Sequence, residues 1–320
     1  MPYVIALEEH YADPRVLAHA PAPVGGRENV LQTLAGRLND LGELRLKEMD
    51  EAGIDFQVIS HAPSPLQQVE PALAVELATG ANDRLHDAVD RNPDRFAAFA
   101  ALPTPDPQAA AAELDRTVTR LGFKGAMIHG RSRGEVFHDA RQFWPIHERA
   151  QALDVPIYLH PGPPHPAVVS AYYGDYFEDF PSLNTAAWGY TIDTATQAVR
   201  LVLSGVFEAY PRLKVILGHM GEGLPFLVDR VDEALSRPGN KPVHFKETFS
   251  SHFYVTTSGH FSTPALLCAL LELGADRVLF SVDWPFVENK PGTDWLATVP
   301  LSPEDKEKLA NGNARRLLKL

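Results

Sequence analysis

Short apolar runs alternate with longer amphipathic stretches along most of the chain. The apolar runs are residues 4–7, 56–60, 96–101, 125–128, 156–160, 214–219, 253–257 and 278–281. Between them, apolar residues recur at helical spacing in 41–52, 73–91, 109–121, 143–153, 191–209 and 263–273. Apolar strands that alternate with helices are typical of a parallel sheet covered by helices, and eight such units favour a closed barrel. We therefore predict one α/β domain over residues 1–320, a single (β/α)8 TIM barrel.

Two segments fall outside this repeat. Residues 11–40 after the first run and 161–190 after the fifth are punctuated by proline, and we expect both to be long loops. The structural alternative is a doubly wound open sheet, which would favour a glycine-rich turn after the first strand. Leu7 is instead followed by Glu-Glu-His. A closing helix is predicted from about Pro303 to Leu318, with Ser302 as its N-cap and Asp305 as capping partner.

Composition narrows the possible partners and the compartment. The chain has 320 residues and a formal net charge of −12, which argues against nucleic acid and anionic membranes as partners. Cys268 is the only cysteine, so an intramolecular disulfide is excluded and we expect a cytoplasmic protein. No basic region followed by an apolar segment opens the chain, and no apolar stretch reaches 18 residues.

Polar residues end several of the predicted strands. Glu8 and His10 end the first strand and share one face of it, whereas Glu9 points the other way. His160 ends the fifth strand and Asp283 follows the eighth. In a barrel of this type the carboxyl ends of the strands carry the active site. Imidazole and carboxylate groups there predict a site for one divalent cation, with a position open to water or substrate.

A single histidine at a strand end is more often a hydrogen-bonding residue than a metal ligand. Here His10, His129, His160 and His219 all end predicted strands, and the coincidence favours a site. Lys124 precedes the fourth strand instead of ending it, so a bridging lysine and a second metal are not expected. His129 could be a ligand, a substrate contact or a turn residue; we favour a substrate contact.

Four motifs together resemble the amidohydrolase superfamily, and more closely its nonoxidative decarboxylases of the γ-resorcylate and aminocarboxymuconate-semialdehyde group. They are Glu8-Glu-His10, Tyr158-Leu-His160-Pro, Gly218-His-Met-Gly-Glu-Gly-Leu-Pro-Phe226 and Ser281-Val-Asp283-Trp-Pro-Phe286. The resemblance covers essentially the whole chain.

This resemblance implies metal ligands at Glu8, His10, His160 and Asp283, and a catalytic pair formed by His219 and Glu222. The two glycines that flank Glu222 also allow a plainer role for that pair, a hydrogen bond at a helix start. Hydrolytic members usually open with His-x-His, so Glu8 favours decarboxylation. This chain departs from the pattern of the related resorcylate decarboxylases at the end of the fourth strand, where they tend to carry Asn and this chain has His129.

The implied activity is decarboxylation of an ortho-hydroxylated aromatic acid of the hydroxybenzoate type, with one divalent ion, Zn²⁺ or Mn²⁺. Asp283 would protonate the ring carbon before carbon dioxide leaves. The family also implies a homodimer or homotetramer. Two alternatives remain: a hydrolase of the same superfamily acting on an amide or lactone, and a catalytically inert barrel that serves as a binding protein.

Aromatic and basic residues are candidates for the substrate pocket. Trp188, Trp284 and Phe286 could form its wall, although core or lid packing accounts for each equally well; Phe286 is the first candidate because it closely follows Asp283. Arg131 and Arg230 could contact a substrate carboxylate, although a surface ion pair is the commoner role of an arginine.

Overall fold

The computed structural model describes residues 2–19, 28–63, 65–133 and 136–320. The strands are β1 (Ile5–Tyr11), β2 (Phe56–His61), β3 (Phe96–Ala98), β4 (Ala100–Ala101), β5 (Ala126–His129), β6 (Ile157–His160), β7 (Val215–Leu217), β8 (Phe253–Thr256) and β9 (Val278–Leu279). Each coincides with one of the apolar runs that predict strands. β3 and β4 are two halves of the single run 96–101, interrupted at Phe99.

Helices fill the connections between these strands. The α-helices span Pro14–Leu17, Glu28–Asn39, Glu43–Ala52, Pro71–Arg91, Pro107–Leu121, Trp144–Leu153, Pro166–Val168, Gly189–Leu203, Val206–Ala209, Leu224–Leu235, Phe245–His252, Thr263–Leu273, Asn289–Thr298, Pro303–Glu307 and Asn313–Leu318. A single left-handed turn spans His219–Glu222. Short 3-10 turns span Pro65–Gln67, Arg141–Phe143, Gly174–Tyr176, Pro181–Asn184 and Ala275–Arg277, and π-turns span Val169–Tyr173 and Lys308–Gly312.

All strand pairs in the described residues are parallel and follow chain order, from β1 to β3 and from β4 to β9. The amide of Phe99 donates to the carbonyl of Ile59 at 2.9 Å and links the two sheets. At the other end, the amide of His10 donates to the carbonyl of Trp284 at 2.7 Å, which joins β1 to the chain after β9. These links complete the predicted (β/α)8 barrel.

The barrel interior is filled at its amino-terminal end. Ile5, Leu7, Val58, Phe99 and other inward residues of the strands form one buried apolar cluster with Leu317 and Leu318 of the last helix. A larger buried cluster lies between the strands and the surrounding helices and runs from Val4 to Ala310. The amino-terminal end is thus packed with apolar side chains, and polar strand-end residues occupy the opposite end.

The predicted excursions differ from each other. Residues 161–188 contain only short helical turns, as expected of a long loop, whereas the excursion after β1 contains the helix Glu28–Asn39; residues 20–27 lie outside the described part. The closing helix is interrupted by the π-turn Lys308–Gly312. Its predicted cap is confirmed, because the Ser302 hydroxyl accepts from the amide of Asp305 at 3.1 Å.

No helix in the described ranges combines the length and the apolar character needed to cross a lipid bilayer.

Candidate metal centre

Four side chains predicted to bind a metal meet at the carboxyl end of the barrel. Glu8, His10, His160 and Asp283 each offer one ligand atom, and these atoms all lie within 4.8 Å of one another. Glu8 and His10 are fully buried, His160 is 5% exposed, and the Asp283 side chain is 16% exposed. Asp283 is therefore the most exposed of the four, and its side of the cluster is called the open side below.

Hydroxyl groups hold the carboxylate of Glu8 in one orientation. Its Oε2 accepts hydrogen bonds from Tyr158 and Ser258, and Thr256 joins both hydroxyls at 2.8 and 2.7 Å. The other oxygen, Oε1, lies 3.0 Å from Nε2 of His160. One oxygen of Glu8 is thus occupied by hydrogen bonds, and the other faces the cluster.

The two histidine ligands are oriented through their far nitrogens. Nδ1 of His160 lies 2.9 Å from the carbonyl of Pro161, which can only accept, so this nitrogen carries the proton. Nδ1 of His10 lies 3.2 Å from the hydroxyl of Ser60. Such contacts are how proteins present Nε2 of a histidine to a metal ion.

Unpaired polar atoms identify what the cluster accommodates. Among the described residues, Glu8 Oε1, His10 Nε2 and Asp283 Oδ1 are buried without a well-formed hydrogen bond. They face the cluster itself: His10 Nε2 lies 3.2 Å from Asp283 Oδ1, and Glu8 Oε1 lies 3.0 Å from His160. Buried polar atoms are rarely left unpaired, because each loses its water without compensation. Two carboxylates and two imidazoles suit a divalent transition ion. The donor set fits one such ion.

Charge inside the cluster shifts the pKa values of its members. Burial alone would raise the pKa of Glu8, but the imidazoles of His219, His160 and His10 outweigh burial and hold this pKa well below its usual range. Burial lowers the pKa of His10 despite the neighbouring Asp283 carboxylate. These directions favour an ionised Glu8 and a neutral His10, the forms that bind a cation.

His219 and Glu222 form a pair at the edge of the cluster. Nδ1 of His219 lies 2.8 Å from Glu222, and its Nε2 lies 3.8 Å from Glu8 and 3.9 Å from Asp283. Burial lowers the pKa of His219, but the carboxylates of Glu222, Glu8 and Asp283 outweigh it and raise this pKa well above its usual range. A dication bound by Glu8 and Asp283 would neutralise both and lower it again.

A left-handed turn after β7 places this pair. His219, Met220, Gly221 and Glu222 all have positive φ angles, between 49° and 76°. A side chain at Gly221 would place its Cβ 2.8 Å from Val255, so this position requires glycine. Strained backbone of this kind concentrates at functional sites and persists only where the surroundings enforce it.

Two of the four predicted substrate contacts lie near the cluster. The ring of buried His129 is 4.8 Å from that of His160, and its Nε2 has no hydrogen-bond partner in the described chain. The ring of Phe286 is 5.6 Å from that of His10, and Phe286 is 40% exposed. Both rings therefore border the cluster, and their role as substrate contacts stays a prediction.

The other two candidates lie apart from the cluster. Trp188 is half exposed at the start of the helix Gly189–Leu203, and Arg230 is exposed on the helix Leu224–Leu235. Across the described residues, no hydrogen bond or ring contact joins either of them to the cluster. Their assignment as substrate contacts stays a prediction.

Two further sequence candidates have structural partners. Arg131 forms a buried ion pair with Asp193 at 2.9 Å, instead of standing open to a substrate. Trp284 is fully buried under the guanidinium of Arg45, which lies 4.1 Å from its ring centre, so it does not line a pocket.

Sequence reasoning assigned no role in the site to three polar residues around the cluster: Glu9, Tyr158 and Ser258. Tyr158 precedes His160 by two positions, and this spacing on a strand is a signal that it shares the same face. Glu9 accepts hydrogen bonds from the amides of Val282 and Trp284. Burial raises the pKa of Glu9 to about 7, although these two amides oppose the shift.

Comparison with known proteins agrees with this geometry. The family model described as "Amidohydrolase" matches residues 16–320. The matched region begins shortly after Glu8 and His10. The chain belongs to the amidohydrolase family. The γ-resorcylate decarboxylase of Rhizobium radiobacter is 42% identical over 327 aligned residues, which cover 99% of this chain and 98% of that protein. The narrower resemblance seen in the sequence motifs is thereby confirmed.

Solved structures show the same relationship. A 2,6-dihydroxybenzoate decarboxylase complexed with 2,6-dihydroxybenzoate superposes with a TM-score of 0.91 at 40% identity, over all of both chains. A dihydroxybenzoic acid decarboxylase from Polaromonas sp. JS666, with bound manganese and the inhibitor 2-nitroresorcinol, superposes with a TM-score of 0.90 at 40% identity, covering 100% of this chain and 98% of the other. These relatives are carboxy-lyases.

Proposed function

We propose that this protein is a metal-dependent nonoxidative decarboxylase of a small ortho-hydroxylated aromatic acid of the hydroxybenzoate type. The observation that carries the proposal is the buried cluster of Glu8, His10, His160 and Asp283, whose ligand atoms lie within 4.8 Å of one another. Its relatives at 40% identity or more act on dihydroxybenzoates, and one of them holds manganese. A glutamate at the first ligand position supports decarboxylation over hydrolysis.

These four residues would hold one divalent ion, Mn²⁺ or Zn²⁺. When bound, the ion supplies positive charge for the carboxylate and the ortho-oxygen of the substrate. Because the chain carries a net charge of −12, an anionic substrate needs such a local positive charge. Of the two ions, the manganese-bound relative favours Mn²⁺.

Residues of this chain would deliver the proton that the substrate ring takes up. Asp283 is the most accessible of the four ligands and would deliver a proton to the ring carbon that bears the carboxylate. The bond to the carboxylate carbon then breaks, its electron pair returns to the ring, and carbon dioxide leaves. His219, held by Glu222, would assist this proton movement or bind the substrate.

The substrate would lie on the open side of the cluster. His129 presents a buried, unpaired nitrogen there, and Phe286 offers an apolar ring beside His10. We keep Trp188 and Arg230 as candidate contacts of a substrate that reaches the exposed rim. Family resemblance supports a homodimer or homotetramer. The unbroken strand–helix repeat supports a single domain over residues 1–320, and the single cysteine supports a cytoplasmic location.

A substrate screen tests the function. The purified protein is loaded with Mn²⁺ and incubated with 2,6-dihydroxybenzoate, other ortho-hydroxybenzoates and, separately, their meta- and para-isomers. We expect release of the matching phenol from ortho-hydroxylated acids, and loss of that activity after chelation. A parallel assay with lactones and amides measures acid release. Hydrolysis there without phenol release from any benzoate would replace this proposal with the hydrolase alternative.

A further inference from the structure

Glu9 lies between the proposed ligands Glu8 and His10 in the sequence, and its side chain is on the opposite face of β1. Glu9 is fully buried, and both of its carboxylate oxygens are engaged. Oε1 accepts from the amide of Val282 at 2.9 Å, and Oε2 accepts from the amide of Trp284 at 3.0 Å. One carboxylate therefore binds the two peptide groups that flank Asp283.

The backbone of Asp283 needs such support. Its φ angle is 75°, in the left-handed region that is unfavourable for residues other than glycine. Such a conformation persists when the surrounding structure over-determines it. Here the support comes from β1 itself, because the amide of Glu8 also donates to the Ser281 hydroxyl at 2.7 Å and that of His10 to the Trp284 carbonyl at 2.7 Å.

The buried guanidinium of Arg45 completes this arrangement. Arg45 is fully buried; its Nη1 donates to Gln57 at 3.1 Å and its Nη2 to the carbonyl of His10 at 2.5 Å. Its guanidinium lies 4.1 Å from the centre of the Trp284 ring, whose Nε1 donates to Glu48 at 2.7 Å. The segment that carries Asp283 is therefore fixed on its backbone by Glu9 and on the side chain of Trp284 by Arg45 and Glu48.

We propose that Glu9 is a positioning residue that fixes Asp283 for metal binding and proton delivery, by binding the amides on both sides of it. The proposal deepens the proposed function and rests on it for the catalytic part. Hydrogen bonds that orient ligands from behind commonly change metal affinity or activity by about 10- to 100-fold when removed. A merely structural glutamate would change stability alone.

Glu9→Gln tests the proposal. The amide is of the same size, but its NH₂ group would face one of the two peptide N–H donors, so one hydrogen bond is lost. We expect the dissociation constant for Mn²⁺, measured by calorimetric titration of chelated and dialysed protein, to rise about tenfold or more. At saturating Mn²⁺, kcat should fall by a similar factor while KM for the substrate changes little.

Glu113→Gln is the matched control. Glu113 is also a buried glutamate, and it bonds Asn82 on the helix Pro71–Arg91 and Arg116 on its own helix, neither of which carries a proposed ligand. The Glu113→Gln variant should have a lower melting temperature than wild type, with Mn²⁺ affinity and kcat at wild-type values. Equal losses of affinity in both variants would overturn the proposal, because the effect would then be one of general destabilisation.

A second variant covers the case in which Glu9→Gln does not fold. Glu9→Asp keeps the buried negative charge but is shorter by one methylene, so it cannot reach both amides, and it should show the same two losses. Wild-type Mn²⁺ affinity and kcat in either folded variant overturn the positioning role. The metal titration needs no substrate, so a wild type that binds Mn²⁺ yet decarboxylates nothing would count against the proposed function alone.

Discussion

Replacing Asp283 with asparagine separates the catalytic role of this residue from its structural one. The change keeps the size of the side chain, and asparagine tolerates the left-handed backbone at this position as well as aspartate does. It removes the proposed proton donor and one of two ligand carboxylates. We expect decarboxylation to fall by about 10²- to 10⁴-fold, the usual contribution of a positioned acid.

The effect on stability can be worked from the cluster geometry. Carboxylate oxygens of Glu8 and Asp283 lie within 4.8 Å of each other. At an effective dielectric constant of about 20, two such charges repel by about 3 kcal/mol. Asp283 also lies 3.9 Å from Nε2 of His219, and a protonated His219 attracts it by about 4 kcal/mol at the same dielectric constant. The two effects nearly cancel, so under chelation the free energy of unfolding of Asp283→Asn should stay within about 1 kcal/mol of wild type.

Manganese should separate the stabilities of the two proteins. At a concentration about 100 times its dissociation constant, a bound ion stabilises the folded state by about 2.7 kcal/mol. If the variant binds about 100-fold more weakly, the same concentration contributes only about 0.4 kcal/mol. Urea unfolding with chelator and with Mn²⁺ measures both quantities, and phenol release measures turnover.

A second buried aspartate provides the contrast. Asp193→Asn removes the charge that faces buried Arg131, so it should destabilise the protein by about 3 kcal/mol with or without Mn²⁺. The reasoning is refuted if Asp283→Asn decarboxylates within about tenfold of wild type, or if it loses stability under chelation as Asp193→Asn does.

Three further predictions concern other parts of the molecule. Glu222→Gln removes the charge that stabilises protonated His219, so kcat should fall about 10- to 100-fold with Mn²⁺ affinity nearly unchanged; an unchanged kcat contradicts this. Burial lowers the pKa of His138 to about 3, so its contribution to stability is complete above its unfolded pKa of about 6.5 and is lost as pH falls towards 3. His138→Leu should therefore remove about 3 kcal/mol of the fall in unfolding free energy between pH 7.5 and 4.5, measured by urea unfolding; an equal fall in both proteins contradicts it. Mn²⁺ should slow hydrogen exchange of the His10 amide, which bonds across the seam between β1 and the chain after β9, more than exchange of the amides that pair strand β5 with strand β6. Equal slowing at both places would show that the ion does not act locally.

The barrel and the four proposed ligands could be predicted from the sequence because both follow from one regularity. Apolar runs marked the strands, and Glu8, His160 and Asp283 follow such runs at the end where parallel strands converge. Long separation in the chain does not matter in a barrel, since register brings strand ends together. His129 was placed beside the cluster by the same regularity.

Residues whose role depends on unusual surroundings could not be predicted in this way. Arg45 lies in an amphipathic stretch where arginine normally faces solvent, yet it is fully buried against Trp284. Trp284 follows a ligand and was a candidate for the pocket wall, and only the fold shows its indole buried and bonded to Glu48. The helix Leu224–Leu235 was not among the predicted helices; it packs through Leu224 and Val228 and leaves Phe226 and Leu227 exposed.

The position of the cluster ties metal binding to the integrity of the barrel. Glu8 and His10 come from the first strand, and Asp283 comes from the chain that follows the last. In the described residues this seam contains no regular strand pairing of β1 with β9, and is held instead by the contacts of Glu9 and by single backbone bonds. An ion shared by Glu8 and Asp283 would add a direct link across this junction, where β1 and β9 are not paired. The free energy of metal binding would therefore also stabilise the closed barrel. Any variant that loosens the seam should weaken metal binding, and removal of the ion should loosen the seam before other parts of the barrel.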